Sequence, residues 1–196
     1  MEIMVSMFIF MLASVVIADI FVNVQRAQAR LRSSQTASTN ARYLMDVLTR
    51  ELRADAIDYC LYAGLASGCD TSTIQTVVPS TTSNLYLLTS SHQSVVFELV
   101  PSTPTTGGYV QISRGGAPFS TITAPTLSVD QLNFYITPLS DPFSANGAVC
   151  GTPPACSPDT QPQVTIVLKL STLDTKVDNR VSSYLQTTVT SRAYVR

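Results

Sequence analysis

From Ile3 to Ala18 the chain reads IMVSMFIFMLASVVIA, an apolar run interrupted only by Ser6 and Ser14, followed by Asp19 and then by Ile20, Phe21 and Val22. At ~1.5 Å per residue this run is about as long as a bilayer core of roughly 30 Å is thick, which predicts one membrane-spanning helix over residues 1–22. Two acids bracket it. Glu2 and Asp19 lie about 25 Å apart along a helix, so that with Glu2 near one face of the hydrocarbon, Asp19 reaches the other as an interfacial residue. A carboxylate drawn to mid-bilayer costs on the order of 2.5–3.5 kcal/mol, so Glu2 calls for a cationic partner if it is buried there.

The helical pattern continues past the apolar run. Positions 24, 27, 31, 34, 38, 41, 45, 48 and 52 advance in steps of three and four, and all but Ser34 and Ser38 are apolar: Val24, Ala27, Leu31, Ala41, Met45, Leu48 and Leu52. This is the stripe of an amphipathic helix, predicted to extend the first one through residues 23–58. Arg26, Arg30, Arg32, Arg42, Arg50 and Arg53 lie away from the stripe with Asp46, Glu51 and Asp55, as a solvated face. Between Ser33 and Asn40 the run SSQTASTN competes for backbone hydrogen bonds, and a bend or melted turn is expected there. Beyond Ala41 the stripe suits a core contact with the chain's own domain. From Val24 to Ser38 little chain remains to cover it, and packing on helices of other subunits is the better expectation.

After a connector over 59–73 the period changes to two. Leu132, Phe134 and Ile136 alternate with Asn133, Tyr135 and Thr137, and Val164, Ile166, Leu168 and Leu170 share one face of another strand. Such alternation predicts half-buried antiparallel strands. Further candidates are 74–78, 84–89, 94–100, 108–113, 119–123 and 181–195, separated by turn-rich runs at 101–108, 114–118 and 174–180, with the last two strands forming a terminal hairpin. Residues 138–163 lack periodicity and are expected to form a long exposed loop, a candidate partner-contact surface. The fold class is therefore α+β: a long N-terminal helix followed by an antiparallel β domain over 74–196.

Composition narrows the chemistry. All 11 prolines lie at or beyond Pro79 and the first glycine is Gly64, so nothing in the first 63 residues breaks a helix. With 13% charged residues and a net charge of −1, a nucleic-acid partner is not expected. No GxSxG, HExxH or P-loop is present, and neither a catalytic site nor a cofactor is expected. The single histidine, His92, sits in the polar run SSHQS and reads as a solvated turn residue. Asp174, Asp178 and Asn179 lack the spacing of a calcium loop. Cys60, Cys69, Cys150 and Cys156 form an even set in a Ser/Thr-rich chain, which reads as two disulfides made in an oxidising compartment; a zinc site would need paired CxxC or matched histidines. Pairing Cys60 with Cys69 would clip the helix end to the loop YAGLASG, and Cys150 with Cys156 would close a small loop. Two other connectivities are equally formal solutions.

The segments EIMVSMFIFMLASVVIADIFVNVQRAQARL and RYLMDVLTRELRADAI resemble the N-terminal helix of type IV pilins and of type II secretion pseudopilins. The likeness covers roughly residues 2–57; the β region is similar only in style, most like the J-type minor pseudopilin and the W-type minor pilin. The resemblance implies a structural subunit that waits in the bacterial inner membrane, single-pass, with its C-terminal domain extracytoplasmic. It implies assembly with other pilin subunits through the helix, and maturation by a prepilin peptidase. Glu2 falls where the family carries the glutamate of its fifth mature position, which implies a salt bridge from Glu2 to the N-terminal amine of a neighbouring subunit. The family's basic leader, peptidase-site glycine and mature phenylalanine would precede Met1, an expectation that also explains why Arg26, Arg30 and Arg32 follow the apolar run with no cation before it, against the positive-inside rule. Two competing readings are a secreted binding module or hydrolase whose signal peptide is removed at Ala27-Gln28-Ala29, and a signal-anchored adhesin with no filament role.

Overall fold

The computed structural model describes residues 2–67, 78–103, 106–142, 161–173 and 180–191. One helix, α1 (Glu2–Ala54), runs without interruption for 53 residues, a length of ~80 Å at ~1.5 Å per residue. The bend expected between Ser33 and Asn40 does not occur. Asn40 turns its side-chain Nδ2 back onto the Thr36 carbonyl at 2.8 Å, so a polar group able to compete with the helix bonds to it, four residues back, without opening it. Ala37 and Ala41, both strong helix formers and both buried, hold the same stretch from the other side.

Two antiparallel sheets follow. The first has the order β1-β2-β3-β4-β5, built from β1 (Ala56–Ile57), β2 (Asn84–Leu88), β3 (Ser94–Val100), β4 (Tyr109–Arg114) and β5 (Ser120–Thr121). The second is β6-β7-β8, from β6 (Leu127–Thr137), β7 (Gln163–Thr172) and β8 (Ser182–Thr190). The protein is thus α+β, as the change of period implied. β7 buries every second residue along its whole length, and β8 returns beside it as the expected terminal hairpin. Only Ser120 and Thr121 of the candidate 119–123 are paired, with Ile112 and Gln111. Of the candidate strand 74–78, Val78 is buried outside any strand and the rest lies outside the described residues.

β6 starts five residues before Leu132. A bulge between Val129 and Gln131 inserts Asp130, an exposed carboxylate that accepts from Ser171 Oγ at 2.9 Å. The extra residue shifts the phase, and Leu127, Ser128 and Val129 are all buried in succession, which hides this end of the strand from a search for alternation. Val129 N donates to Gly108 O at 2.8 Å. A Cβ on Gly108 would collide with the Val129 carbonyl, so glycine is what lets the first sheet reach the second there. Thr82 bridges Phe134 and adds a second seam.

The core forms where α1 lies across both sheets. Ala41, Leu44, Met45, Leu48 and Leu52 join Leu85, Leu87, Val95 and Phe97 of the first sheet with Leu132, Phe134, Ile166 and Leu168 of the second in one buried cluster. The stripe is as expected from Ala41 down, with Leu44 added. Above Ala41 it shifts: Ala37 is buried in place of Ser38, and Ser34 is exposed.

The helix ends at Ala54, short of the expected boundary at 58. Ala56 and Ile57 leave it to pair with Leu88 and Leu87, and burial of Ile57 and Tyr59 in the sheet edge outweighs another helical turn. Asp58 then caps a short helix, α2 (Tyr59–Tyr62), accepting from Cys60 N at 3.1 Å and Leu61 N at 3.3 Å, while Ser67 Oγ donates to its other oxygen. Tyr62 Oη donates to Asn84 O at 3.0 Å and accepts from Tyr86 N at 3.2 Å. Burial pushes the Tyr62 hydroxyl well above the usual phenol range.

Leu48 is fully buried between helix and sheets, so Leu48→Ala is expected to destabilise the domain by about 2–5 kcal/mol in urea unfolding. Asp55 is a second probe. Burial, then the neighbouring Glu51 charge, raise its carboxyl above the ordinary value, with Arg114 opposing. The folded state therefore disfavours its charge, and the stability present below the unfolded carboxylate value of about 3.9 is lost as pH rises through the raised folded one. Asp55→Asn should gain on the wild type, in urea midpoints, as pH goes from about 3 to about 7.

Candidate assembly surface of the N-terminal helix

Above the core contact α1 stands clear of the domain. Ile3 is 82% exposed and Phe10 74%, and Met7, Leu12, Val15, Val16 and Phe21 are exposed on the other sides of the same segment. Its two hydroxyls are satisfied within the helix, Ser6 Oγ donating to Ile3 O at 3.3 Å and Ser14 Oγ to Phe10 O at 2.9 Å. Apart from Asp19, what remains outward is apolar around the full circumference. A helix of that kind needs apolar surroundings on every side, which a bilayer or a bundle of like helices supplies and water does not. The segment is long and apolar enough to cross a membrane.

Below it, the stripe from Val24 to Ser34 is uncovered. Val24 is 47% exposed and Leu31 62%, and Ala27 and Ser34 are exposed as well. Among the described residues the domain's approach to this stretch is Val181, which with Asn23, Arg26, Arg30 and Leu31 lines an open groove at the shoulder where the second sheet ends. The helix thus changes from core element to bare rod between Ala37 and Leu31, in the interval where the stripe turns polar.

A second line runs along the rod. Asp19, Asn23, Arg26 and Arg30 advance in steps of four, three and four, and a further step of seven leads to buried Ala37. This is the side that meets the sheets lower down. The composition of this line, one acid followed by an amide and two cations, is visible in the sequence once the register of the buried stripe is known; without it Arg26 and Arg30 read as part of a solvated face.

Cys60 is disulfide-bonded and buried next to the helix end. Its partner is one of Cys69, Cys150 and Cys156, which lie outside the described residues, as do Asp174, Asp178, Asn179, the Glu2 side chain and residues 143–160 of the long loop. His92 is exposed in the β2–β3 turn at φ 58°, its N–H donating to Thr89 O at 2.9 Å. Among the described residues no three His, Cys, Asp or Glu side chains converge on one point. The Asp58, Ser67 and Tyr62 network that ties the connector to β2 had no sequence signal beyond a single Asp before an aromatic pair.

Comparison with protein-family models, with curated proteins and with solved structures finds no match to this chain.

Leu31→Lys separates the rod from the core. Placed on an uncovered position, it should change the unfolding free energy of the domain by no more than about 0.5 kcal/mol, measured in detergent micelles. A loss of the size produced at Leu48 would mean that the domain covers this stretch after all.

Proposed function

We propose that this protein is a minor pilin- or pseudopilin-like structural subunit that assembles through its N-terminal helix into a type IV pilus or a type II secretion pseudopilus. The observation that carries the reading is the two-part helix: apolar all round from Ile3 to Ala18, uncovered to Ser34, and locked into an antiparallel domain from Ala37 to Leu52. The upper part is a docking handle and the lower part fixes the domain to it. In the membrane, lipid covers the handle; in a filament, neighbouring helices do.

The same reading assigns a single-pass inner-membrane location before assembly, with the C-terminal domain outside the cytoplasm. The Cys60 disulfide supports an oxidising compartment for that domain. The helix passes through Ala27-Gln28-Ala29 without a break, which favours retention of the segment over its removal as a signal peptide. Glu2 is the residue given a specific role. An ion pair from its carboxylate to the N-terminal amine of an adjacent mature subunit offsets the desolvation of both charges in an apolar filament interior, and either charge alone would be costly there. Maturation falls to a prepilin peptidase, and other pilin subunits are the partners.

Two measurements test this. The mature N-terminus, found by mass spectrometry on the protein from its host, should lie ahead of Glu2; a chain beginning after Ala29 would overturn the reading. Glu2→Gln and Glu2→Ala should each lower incorporation into filaments by about tenfold or more while the β domain stays folded, and normal incorporation of both would remove the role given to Glu2.

A further inference from the structure

Below the apolar run, the groove at the shoulder of the domain has a volume of about 710 Å³, within the range of sites that hold small ligands. Arg26 and Arg30 line its helix wall one turn apart, with Asn23 above them and Ser34 below. Ala27, Leu31 and Val181 supply the apolar lining, and among the described residues no acid contributes to it. Three and four residues from Arg26 stand Val22, Asn23, Ala29 and Arg30, none of them acidic. Asp19, seven residues away, is too far along the helix to meet it. Like charges one turn apart repel each other, so this wall favours an anion lying between the two guanidiniums. The opposite wall is fixed by backbone pairing: Val181 O accepts from Thr172 N at 3.0 Å, and Val181 N donates to Thr172 Oγ1 at 3.0 Å.

Depth along the helix selects the anion. Arg26 lies four residues past Val22 and Arg30 eight, ~6 Å and ~12 Å along the helix. The headgroup layer adds about 5–7 Å to each side of the hydrocarbon, so Arg26 stands at the level of lipid phosphates. Arg30 starts farther out, but side chains tilt toward the N-terminus of their helix, which here is the membrane end, and its long stem brings the guanidinium back toward the same level. Resting on the membrane-spanning reading above, we infer that this groove binds the headgroup of one anionic phospholipid, its phosphate held between Arg26 and Arg30 and its acyl chains entering the hydrocarbon beside the apolar run. Guanidiniums bind phosphate oxygens in forked pairs. A zwitterionic lipid brings an ammonium group into the same cationic groove and is disfavoured. In the proposed topology the positive-inside rule gives no reason for cations at this end of the span; a headgroup site does. The bound lipid also bridges the helix to the Val181 wall, at the height where the rod leaves the domain.

Full-length protein in micelles of an uncharged detergent, offered equal amounts of dioleoyl phosphatidylglycerol and dioleoyl phosphatidylcholine and weighed by native mass spectrometry, tests the inference. The chain should retain one phosphatidylglycerol, in about tenfold or greater preference over phosphatidylcholine. Arg26→Gln and Arg30→Gln should each lower that preference about fivefold. Arg32→Gln removes an exposed cation ~200° around the helix from Arg30 and should leave the preference unchanged. Val181→Asp places an acid on the domain wall and should lower it as the arginine exchanges do, while near-ultraviolet circular dichroism checks that the β domain is unchanged. Equal retention of the two lipids, an equal loss in Arg32→Gln, or no loss in Val181→Asp would overturn the site. Inorganic phosphate added at constant ionic strength should not displace the lipid, and displacement would overturn a lipid as the occupant. Flotation with phosphatidylcholine vesicles separates the site from the reading on which it rests. Chains that float but show no preference for phosphatidylglycerol leave the membrane span standing and remove the site; chains that do not float overturn the span and the site with it.

Discussion

Everything in this molecule depends on one continuous helix meeting two different apolar environments along its length. At the lower end a narrow stripe faces two sheets, and Leu44, Leu48 and Leu52 alone remove apolar surface worth on the order of 5–9 kcal/mol from water, an upper bound because unfolded chains bury some of it already. At the upper end no such stripe exists and apolar residues point in all directions. The lower contact therefore sets the angle at which roughly 50 Å of bare helix leaves the domain. Were that contact loose, the rod would swivel and no fixed geometry could be passed on to whatever surrounds it.

The domain reinforces this anchorage where leverage on it is greatest. At the end of α1 the chain turns directly into β1, α2 is capped by Asp58, Cys60 is covalently tied, and Ser191 Oγ at the end of β8 donates to the Asp55 carbonyl at 3.0 Å. These links reach the helix terminus from the start and the end of the domain. The salt bridge from Arg114 to Glu51, 2.9 Å long, adds a further tie, but with the arginine half in solvent it contributes only about 0–1 kcal/mol. Orientation here comes from backbone pairing and burial, and charge refines it.

Much of this was legible in the amino-acid order. The absence of any breaker before Gly64, the apolar run and the stripe from Ala41 to Leu52 define α1 almost completely, because helix propensity and periodicity agree over those residues. β7 was equally plain, since its alternation is unbroken. Tertiary contacts decided the places where the reading went astray. Nothing between Leu52 and Ile57 breaks a helix, and only the availability of Leu87 as a pairing partner draws Ile57 into a strand. The first residues of β6, before Gln131, are masked by its bulge. The SSQTASTN run carries residues that disfavour helices singly, yet lies between two strongly helical segments, and cooperativity carries the helix through. The exposed part of the helix was half legible: its exposure followed from a shortage of chain to cover it, but its polar line needed the register of the buried side.

That polar line has a physical consequence different from the apolar surface around it. Smooth apolar helices attract one another through many small contacts, and sliding one helix along another by a turn exchanges equivalent contacts with little change in energy. Affinity arises from such a surface, but register does not. A few polar groups placed within it lift the degeneracy, because an offset that leaves a charge facing its like, or facing hydrocarbon, is penalised far more than any apolar contact can repay; single polar residues in coiled-coil seams select register in the same way, at a cost in stability. Asp19 and Arg26 stand at the lower margin of the apolar run, where lipid headgroups or water can solvate them in an isolated copy. In the membrane those charges are therefore tolerable, and they become costly wherever helices gather in a way that carries them into hydrocarbon without a partner.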